Sequence, residues 1–365
     1  MNTDKYILFN PGPVNVTERV RRALLKQDIC HREDEFNNLL QNIRQNLLRV
    51  YNLNEEVYAA VVLSGSGTAA VESAFTSLVP DNGTVLVVSN GVYGERISSI
   101  AKAYGILTND IKYDWGKRIE LETIENAILK DNSITTVAVI HHETTTGILN
   151  DIASIGKVVQ KYGKELFVDA VSSFAGEEIK FQEWGVDICC GSSNKCIHGI
   201  PGVSFVIARK DIFYRQKDLQ PRTVYLNLVN YFLQEEKGIP PFTPSVQVLY
   251  AFDEALQELL LEGVNTRIKI YKFRANKIRQ LAKSIGLKLY LPDHFFSNTL
   301  TSFYLPESIT YKKLHDTLKE NGLVIYAGQG GLYKNIFRIA NMGDMSDRDI
   351  EKVFALVKQI IQEEK

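Results

Sequence analysis

Short apolar runs and longer amphipathic ones alternate along the first two-thirds of the chain. YAAVVLS (58–64), TVLVVSN (84–90), TTVAVIHH (135–142), ELFVDAV (165–171), VDICCGS (186–192) and GVSFVIAR (202–209) are mostly rich in valine and isoleucine and lack polar alternation. That pattern predicts strands covered on both faces. Between several of them, segments 67–78, 94–104, 120–130 and 151–162 carry helical spacing. The alternation predicts an α/β fold with a doubly wound, mostly parallel sheet, in which ligands sit at the carboxyl ends of the strands. After PFTPSVQVLYAF the character changes. Residues 245–285 read as long helix, then LTSFYLP, YKKLHDTLKENGLVIYAG and IFRIANMG precede a last helix, DRDIEKVFALVKQIIQEE. We therefore expect a large domain over 1–250 and a smaller C-terminal α+β domain over 251–365, joined through helix rather than a loose linker.

Composition narrows the function classes. The chain has 365 residues, 45% hydrophobic, enough for a sizeable core, and a formal net charge of −1 that favours neither nucleic acid nor an anionic membrane. The cysteines, Cys30, Cys189, Cys190 and Cys196, match neither zinc-site nor CxxC spacing, so free thiols and no metal are expected. The start, MNTDKYILFNPGP, lacks a secretory pattern, and no apolar run reaches membrane-spanning length. The expectation is a cytoplasmic protein.

Chemistry gathers at the predicted strand ends. GSGTAAVE (65–72) passes from strand to helix through small and hydroxyl residues. The backbone N–H groups of such a turn can approach an anion, with hydroxyls of Ser66 and Thr68 beside them. The string also fits a dinucleotide-binding turn, but Ser89 and Asn90 stand where that fingerprint wants an acid. A ligand-free helix start is the plainer alternative. Asp169 ends an apolar strand, where a carboxylate needs a partner or serves as a helix cap. Tyr93, in SNGVYGER, offers a ring for stacking or for core packing. HETTTG (142–147) brings a hydroxyl cluster, or an ordinary polar turn. Lys195 follows Gly191, Ser192, Ser193 and Asn194, small neighbours that would let an amine reach a bound carbonyl. An anion turn, an aromatic platform, a carboxylate and a lysine are together what pyridoxal 5'-phosphate requires.

NPGPV (10–14), GSGTAAVE, SNGVYGER, HETTTG, VDAVSSF (168–174), NKCIHGIPG (194–202), FTPS (242–245) and FRIANMG (337–343), in this order, resemble the class V, fold-type I aminotransferases over nearly the whole chain. HETTTG and NKCIHGIPG resemble the branch acting on 2-aminoethylphosphonate and pyruvate. The resemblance implies that Lys195 forms the Schiff base with the cofactor and Asp169 pairs with its ring nitrogen. It implies that Tyr93 stacks on the ring, Thr144 lies near the phenolic oxygen and Ser66, Gly67 and Thr68 hold the phosphate. Asn194 joins these cofactor contacts. Thr243 would reach the phosphate of a partner subunit in a homodimer, and the N-terminal 20 residues would border the cleft. Arg338 would hold the substrate's acidic group, with Arg32 the next candidate; a local ion pair with Asp344 or Asp347 is the other reading of Arg338. CHREDEF (30–36) departs from the phosphonate pattern toward the His-Arg segment of alanine– and serine–glyoxylate aminotransferases, the alternative activity. A cysteine desulfurase-like lyase on this fold would need a mobile cysteine late in the chain, and none follows Cys196.

Overall fold

The computed structural model describes residues 6–364. In chain order the strands are β1 (Ile7–Leu8), β2 (Tyr58–Ser64), β3 (Thr84–Ser89), β4 (Leu107–Lys112), β5 (Ile134–Ile140), β6 (His142–Glu143), β7 (Ile148–Leu149), β8 (Glu165–Asp169), β9 (Ile188–Ser192), β10 (Val203–Arg209), β11 (Leu300–Tyr304), β12 (Leu323–Val324), β13 (Tyr326–Ala327) and β14 (Ile336–Ala340). Seven form the central sheet in the order β2-β10-β9-β8-β5-β3-β4. β10 runs antiparallel to both neighbours and the remaining pairings are parallel. The expected doubly wound, mostly parallel sheet is present.

Two apolar cores explain the absence of polar alternation. In β2, Ala60 and Val62 face one core, and Ala59, Val61 and Leu63 the other. In β5, Val137 and Val139 oppose Ala138 and Ile140 in the same way. Successive side chains point to opposite faces, so a strand buried on both must be apolar throughout. β4, LTNDIK, is the strand of the central sheet that the sequence did not reveal. It lies at the sheet edge, its side chains are half-buried or exposed, and its polar residues give no buried-strand signal.

The long helical stretch predicted for 245–285 is two helices, Val246–Glu262 and Val264–Ser284. Gly263 separates them at φ +81°, a conformation that favours glycine. The core of the larger unit takes in Leu249, Phe252, Leu256, Leu259 and Tyr271; a separate core includes Ile278, Phe303, Phe337 and Phe354. The smaller unit holds an antiparallel sheet of order β11-β14-β13, covered by helices that include Val264–Ser284 and Asp347–Glu363.

The N-terminal segment threads between the two cores. β1 pairs with β12, and Phe9 is buried in the smaller core. Val14, Val16 and Val20 then enter the larger core. Residues 10–13 thus cross the seam at the strand ends.

Candidate active site

Asp169 is the last residue of β8, and Lys195 lies three residues beyond β9, the next strand in the sheet. Parallel pairing brings both to the same carboxyl edge. Gly67, Thr68, Tyr93, Asp169 and Lys195 line one cleft there, with Val71, Arg96, His142, Val171 and Ser172. Five of the sequence-predicted residues are therefore neighbours, drawn from the segments that follow four strands, β2, β3, β8 and β9.

Each junction has its own local cause. Helix Gly67–Leu78 starts where β2 ends, and it packs Ala70, Val71, Ala74, Phe75 and Leu78 into the sheet. Phe75 meets Phe167 of β8 with ring centroids 4.5 Å apart. Ser66 is its N-cap residue but makes no side-chain capping bond; Ala69 N donates to Ser66 O at 2.8 Å, and the Gly67 and Thr68 N–H groups are left for another acceptor. A Cβ on Gly67 would lie 2.7 Å from Val171 Cγ1, so glycine lets that helix start sit against the turn following Asp169.

The second helix N-terminus at this edge, Val92–Ala103, is closed. Fully buried Glu143 accepts from Tyr93 N and Gly94 N, each at 3.1 Å, through Oε2, and from Thr145 N at 3.0 Å through Oε1. Thr145 Oγ1 accepts from Val92 N at 3.0 Å. Burial raises the Glu143 pKa while these N–H donors pull it back down. Of two helix N-termini, one holds an internal carboxylate and one stays open to an external anion.

Charge in the cleft is tuned by burial. The Lys195 amine drops to about 8, chiefly because it is desolvated; Asp169 pulls it up, and Arg338 and Arg96 push it down. The Asp169 carboxyl rises to about 6, again through burial first, with Val171 N–H, Arg96 and Lys195 opposing and Glu143 adding to the rise. Asp169 Oδ1 accepts from Val171 N at 2.9 Å, and Oδ2 has no hydrogen-bond partner among the described residues. Lys195 Nζ donates to the Pro11 carbonyl. An added Cβ on Gly12, at φ +109°, would sit 2.5 Å from Lys195 Cδ. Room for the lysine is thus made by Gly12. The small residues before it serve packing: Gly191 admits the Phe205 ring, Ser192 donates to Asn194 Oδ1 at 3.0 Å, and Ser193 donates to Val203 O at 3.0 Å.

Arg338, in β14, is 5% exposed. Its Nε donates to Ala327 O at 2.8 Å and its Nη1 to Thr144 O at 2.7 Å. Two backbone carbonyls aim the guanidinium, and Nη2 has no partner among the described residues. Asp347 lies instead against Arg274 and Lys277. Thr144 is buried in the loop between β6 and β7. Ser66, Thr243 and Arg32 are exposed, and Asn194 is half-buried. Arg32 Nη1 donates to Pro240 O at 3.4 Å, and Ser245 N donates to Ser64 Oγ at 2.9 Å. Arg32 and the 240–245 segment therefore share one face, near Ser66 but outside the Lys195 cleft.

Sequence reasoning passed over Arg96, Glu143 and His142. Arg96 is one turn beyond Tyr93, with its guanidinium 4.7 Å from that ring's centroid and Nη1 3.4 Å from Thr68 Oγ1. The i, i+3 spacing within SNGVYGER was its signal. His142 is buried and neutral, its pKa lowered to about 4 by desolvation, and Nε2 lies 2.8 Å from Ser297 Oγ. All four thiols are free: Cys189, Cys190 and Cys196 are buried, with pKa values raised by desolvation, and Cys30 is exposed. None of the three buried thiols is poised as a nucleophile.

Comparison with known proteins agrees with this architecture. The family profile "Aminotransferase class-V" matches residues 17–343. The 2-aminoethylphosphonate–pyruvate transaminase of Bacillus cereus (strain ATCC 14579) is 36% identical over 357 residues, covering 97% of each chain. That of Lysinibacillus sphaericus (strain C3-41) is also 36% identical, covering 97% of this chain and 96% of its own. Among solved structures, a pyridoxamine–pyruvate aminotransferase from Mesorhizobium loti superposes with a TM-score of 0.87 at 28% identity, covering 93% of this chain and 87% of its own. An alanine–glyoxylate aminotransferase from Nostoc sp. reaches 0.92 at 24% identity, over 99% and 96% of the two chains, a likeness of fold. With the profile spanning most of its length and these relatives nearly all of it, the chain belongs to the class-V aminotransferases.

Proposed function

We propose that this protein is a pyridoxal phosphate-dependent transaminase that moves the amino group of 2-aminoethylphosphonate to pyruvate, giving phosphonoacetaldehyde and alanine. The carrying observation is that Lys195 and Asp169 share one cleft at the sheet's carboxyl edge, with Arg338 of β14 aimed by Thr144 O and near enough to push the Lys195 amine down, in a chain 36% identical to transaminases of that name. The cleft suits the cofactor in its donor set. An open helix N-terminus with Thr68 would hold a phosphate, and Asp169, with one carboxylate oxygen unpartnered, would hold a protonated ring nitrogen. Tyr93 and Thr144 would border the ring, with Asn194 nearby.

Bound pyridoxal phosphate supplies a carbonyl that captures amines and a ring that withdraws electrons from the carbon bearing the nitrogen. The chain's residues do the rest. Burial keeps the Lys195 amine near neutrality, so Nζ can take a proton from the substrate carbon and return it on the other side of the transfer. The desolvated Asp169 carboxylate favours a positive partner. Arg338 presents Nη2 to an acidic group, and a planar fork accommodates phosphonate in one half of the reaction and carboxylate in the other.

The working unit is a homodimer in this reading. Val224 is 80% exposed, and Leu219, Tyr225 and Ile239 are exposed on the same segment that carries Thr243. Tyr225 lines the same hollow as Thr243, and apolar side chains exposed beside it are ones that a second subunit would cover. Arg32 and Thr243, both on this face, would then serve the partner's cleft. Among the described residues no helix is long and apolar enough to cross a membrane, and a cytoplasmic setting completes the proposal. An amine panel assayed with pyruvate and with glyoxylate tests the substrate. Fastest turnover with 2-aminoethylphosphonate and pyruvate is expected. Preference for serine or alanine with glyoxylate would move the protein to the branch that CHREDEF resembles.

A further inference from the structure

Glu143 occupies an unusual position. It is fully buried, it touches neither Lys195 nor Asp169 by hydrogen bond, and yet its contacts lead to both sides of the cleft. On one side its Oε2 holds Tyr93 N and Gly94 N, which fixes the start of the helix that carries Tyr93 and Arg96. On the other, its Oε1 holds Thr145 N, closing the loop whose Thr144 carbonyl aims Arg338 Nη1. The same loop is anchored to the smaller unit, because Ser302 of β11 donates to Thr146 O. A carboxylate suits this role and an amide does not. Its three backbone partners are all N–H donors, with the Thr145 hydroxyl bonded to it as well, and an amide would face one of the backbone N–H groups with its own NH₂. The helix dipole adds to the preference for negative charge.

Gly91 gives a second, independent mark. Its backbone is extended, φ −179° and ψ 178°, so glycine is not required by conformation. A Cβ there would lie 2.3 Å from Glu143 Cδ. Space, rather than strain, makes residue 91 a glycine, and the space is filled by the Glu143 carboxylate.

We propose that Glu143 is the positioning residue of this site, setting the cofactor-facing Tyr93 and the acid-binding Arg338 through one buried carboxylate. The inference rests on the transaminase reading and adds a residue to it. Two substitutions probe it from opposite sides: Glu143→Gln removes the charge with little change of volume, and Gly91→Ala displaces an intact carboxylate. Both proteins are loaded with pyridoxal phosphate and compared with the parent by circular dichroism in the cofactor's visible band and by steady-state kinetics. The expected result is a weakened band and a rise in KM for 2-aminoethylphosphonate of about tenfold, the scale of a lost charge-assisted hydrogen bond, with a smaller change in kcat. Glu143→Asp should recover part of the loss. Combining Glu143→Gln with Arg338→Lys should cost less than the product of the single effects, since both act on one guanidinium. Soluble variants with the parent's band and KM would overturn the proposal, and so would insolubility of both, which would assign Glu143 to folding alone. A parent that shows neither a visible band nor turnover would instead refute the transaminase reading, before any variant is made.

Discussion

Lys195 carries the most specific expectation at the scale of single residues. Its amine lies near 8 rather than the ordinary 10.5 because it is desolvated. Only the neutral amine attacks a carbonyl, and the protonated form dominates below that value. Uptake of pyridoxal phosphate by the cofactor-free protein should therefore accelerate from pH 6 to about 8 and level off above. Stopped-flow absorbance reads this directly, and a rate still climbing toward pH 10 would mean an unshifted lysine. Replacing Lys195 with alanine should abolish turnover without unfolding the protein. For Arg338→Ala, loss of a buried bidentate contact should cost ~2–4 kcal/mol in kcat/KM for acidic substrates, with lysine restoring only part. Equal kcat/KM in parent and alanine variant would make the residue structural. Lys195, Asp169 and Arg338 were legible because each is a charge set in an apolar or small-residue context. Gly12 and Glu143 were not, since Gly12 meets Lys195 183 positions away and the Tyr93 and Gly94 N–H groups that Glu143 holds lie about 50 positions away in sequence.

Among the elements, helix Gly67–Leu78 does two jobs. Its apolar face fixes it to the sheet, and its uncapped start offers N–H groups to a phosphate. The first job predicts that Phe75→Ala, which empties a fully buried aromatic site, costs about 3–5 kcal/mol of stability. Denaturant melts would show it, and a loss below 1 kcal/mol would mean that the Phe75–Phe167 contact is not what seats the helix. The strands and helices around the cleft were readable because two-sided burial makes each strand apolar and each helix amphipathic. Where burial is one-sided or slight, as in β4, the pattern fades. The break at Gly263 was hidden for another reason: a single glycine in a helical stretch is tolerated, and its left-handed backbone is visible only in three dimensions.

Across the whole molecule, the cleft is assembled from distant pieces. Strand ends of the large sheet, the N-terminal crossing and β14 of the smaller unit all contribute, and a second subunit is expected to contribute Thr243 and Arg32. The shared-site reading makes a further prediction. Mixed dimers of Lys195→Ala with Thr243→Ala subunits contain one cleft with both residues intact, so mixing should restore activity beyond the sum of the two homodimers. No gain on subunit exchange would keep each cleft within its own chain. The small-unit sheet and its helices followed from pattern, but the meeting of Arg338 with Thr144 is a tertiary contact, 194 positions apart in sequence, that neither pattern nor resemblance anticipated. The central claim, amino transfer from 2-aminoethylphosphonate through a lysine-held cofactor, is tested most directly by one half-reaction. The loaded protein is mixed with 2-aminoethylphosphonate alone, and its visible absorption followed. The band should disappear without any acceptor present and return when pyruvate is added, with alanine and phosphonoacetaldehyde formed in equal amounts. A band that 2-aminoethylphosphonate leaves untouched, while serine or alanine discharges it, would contradict the account.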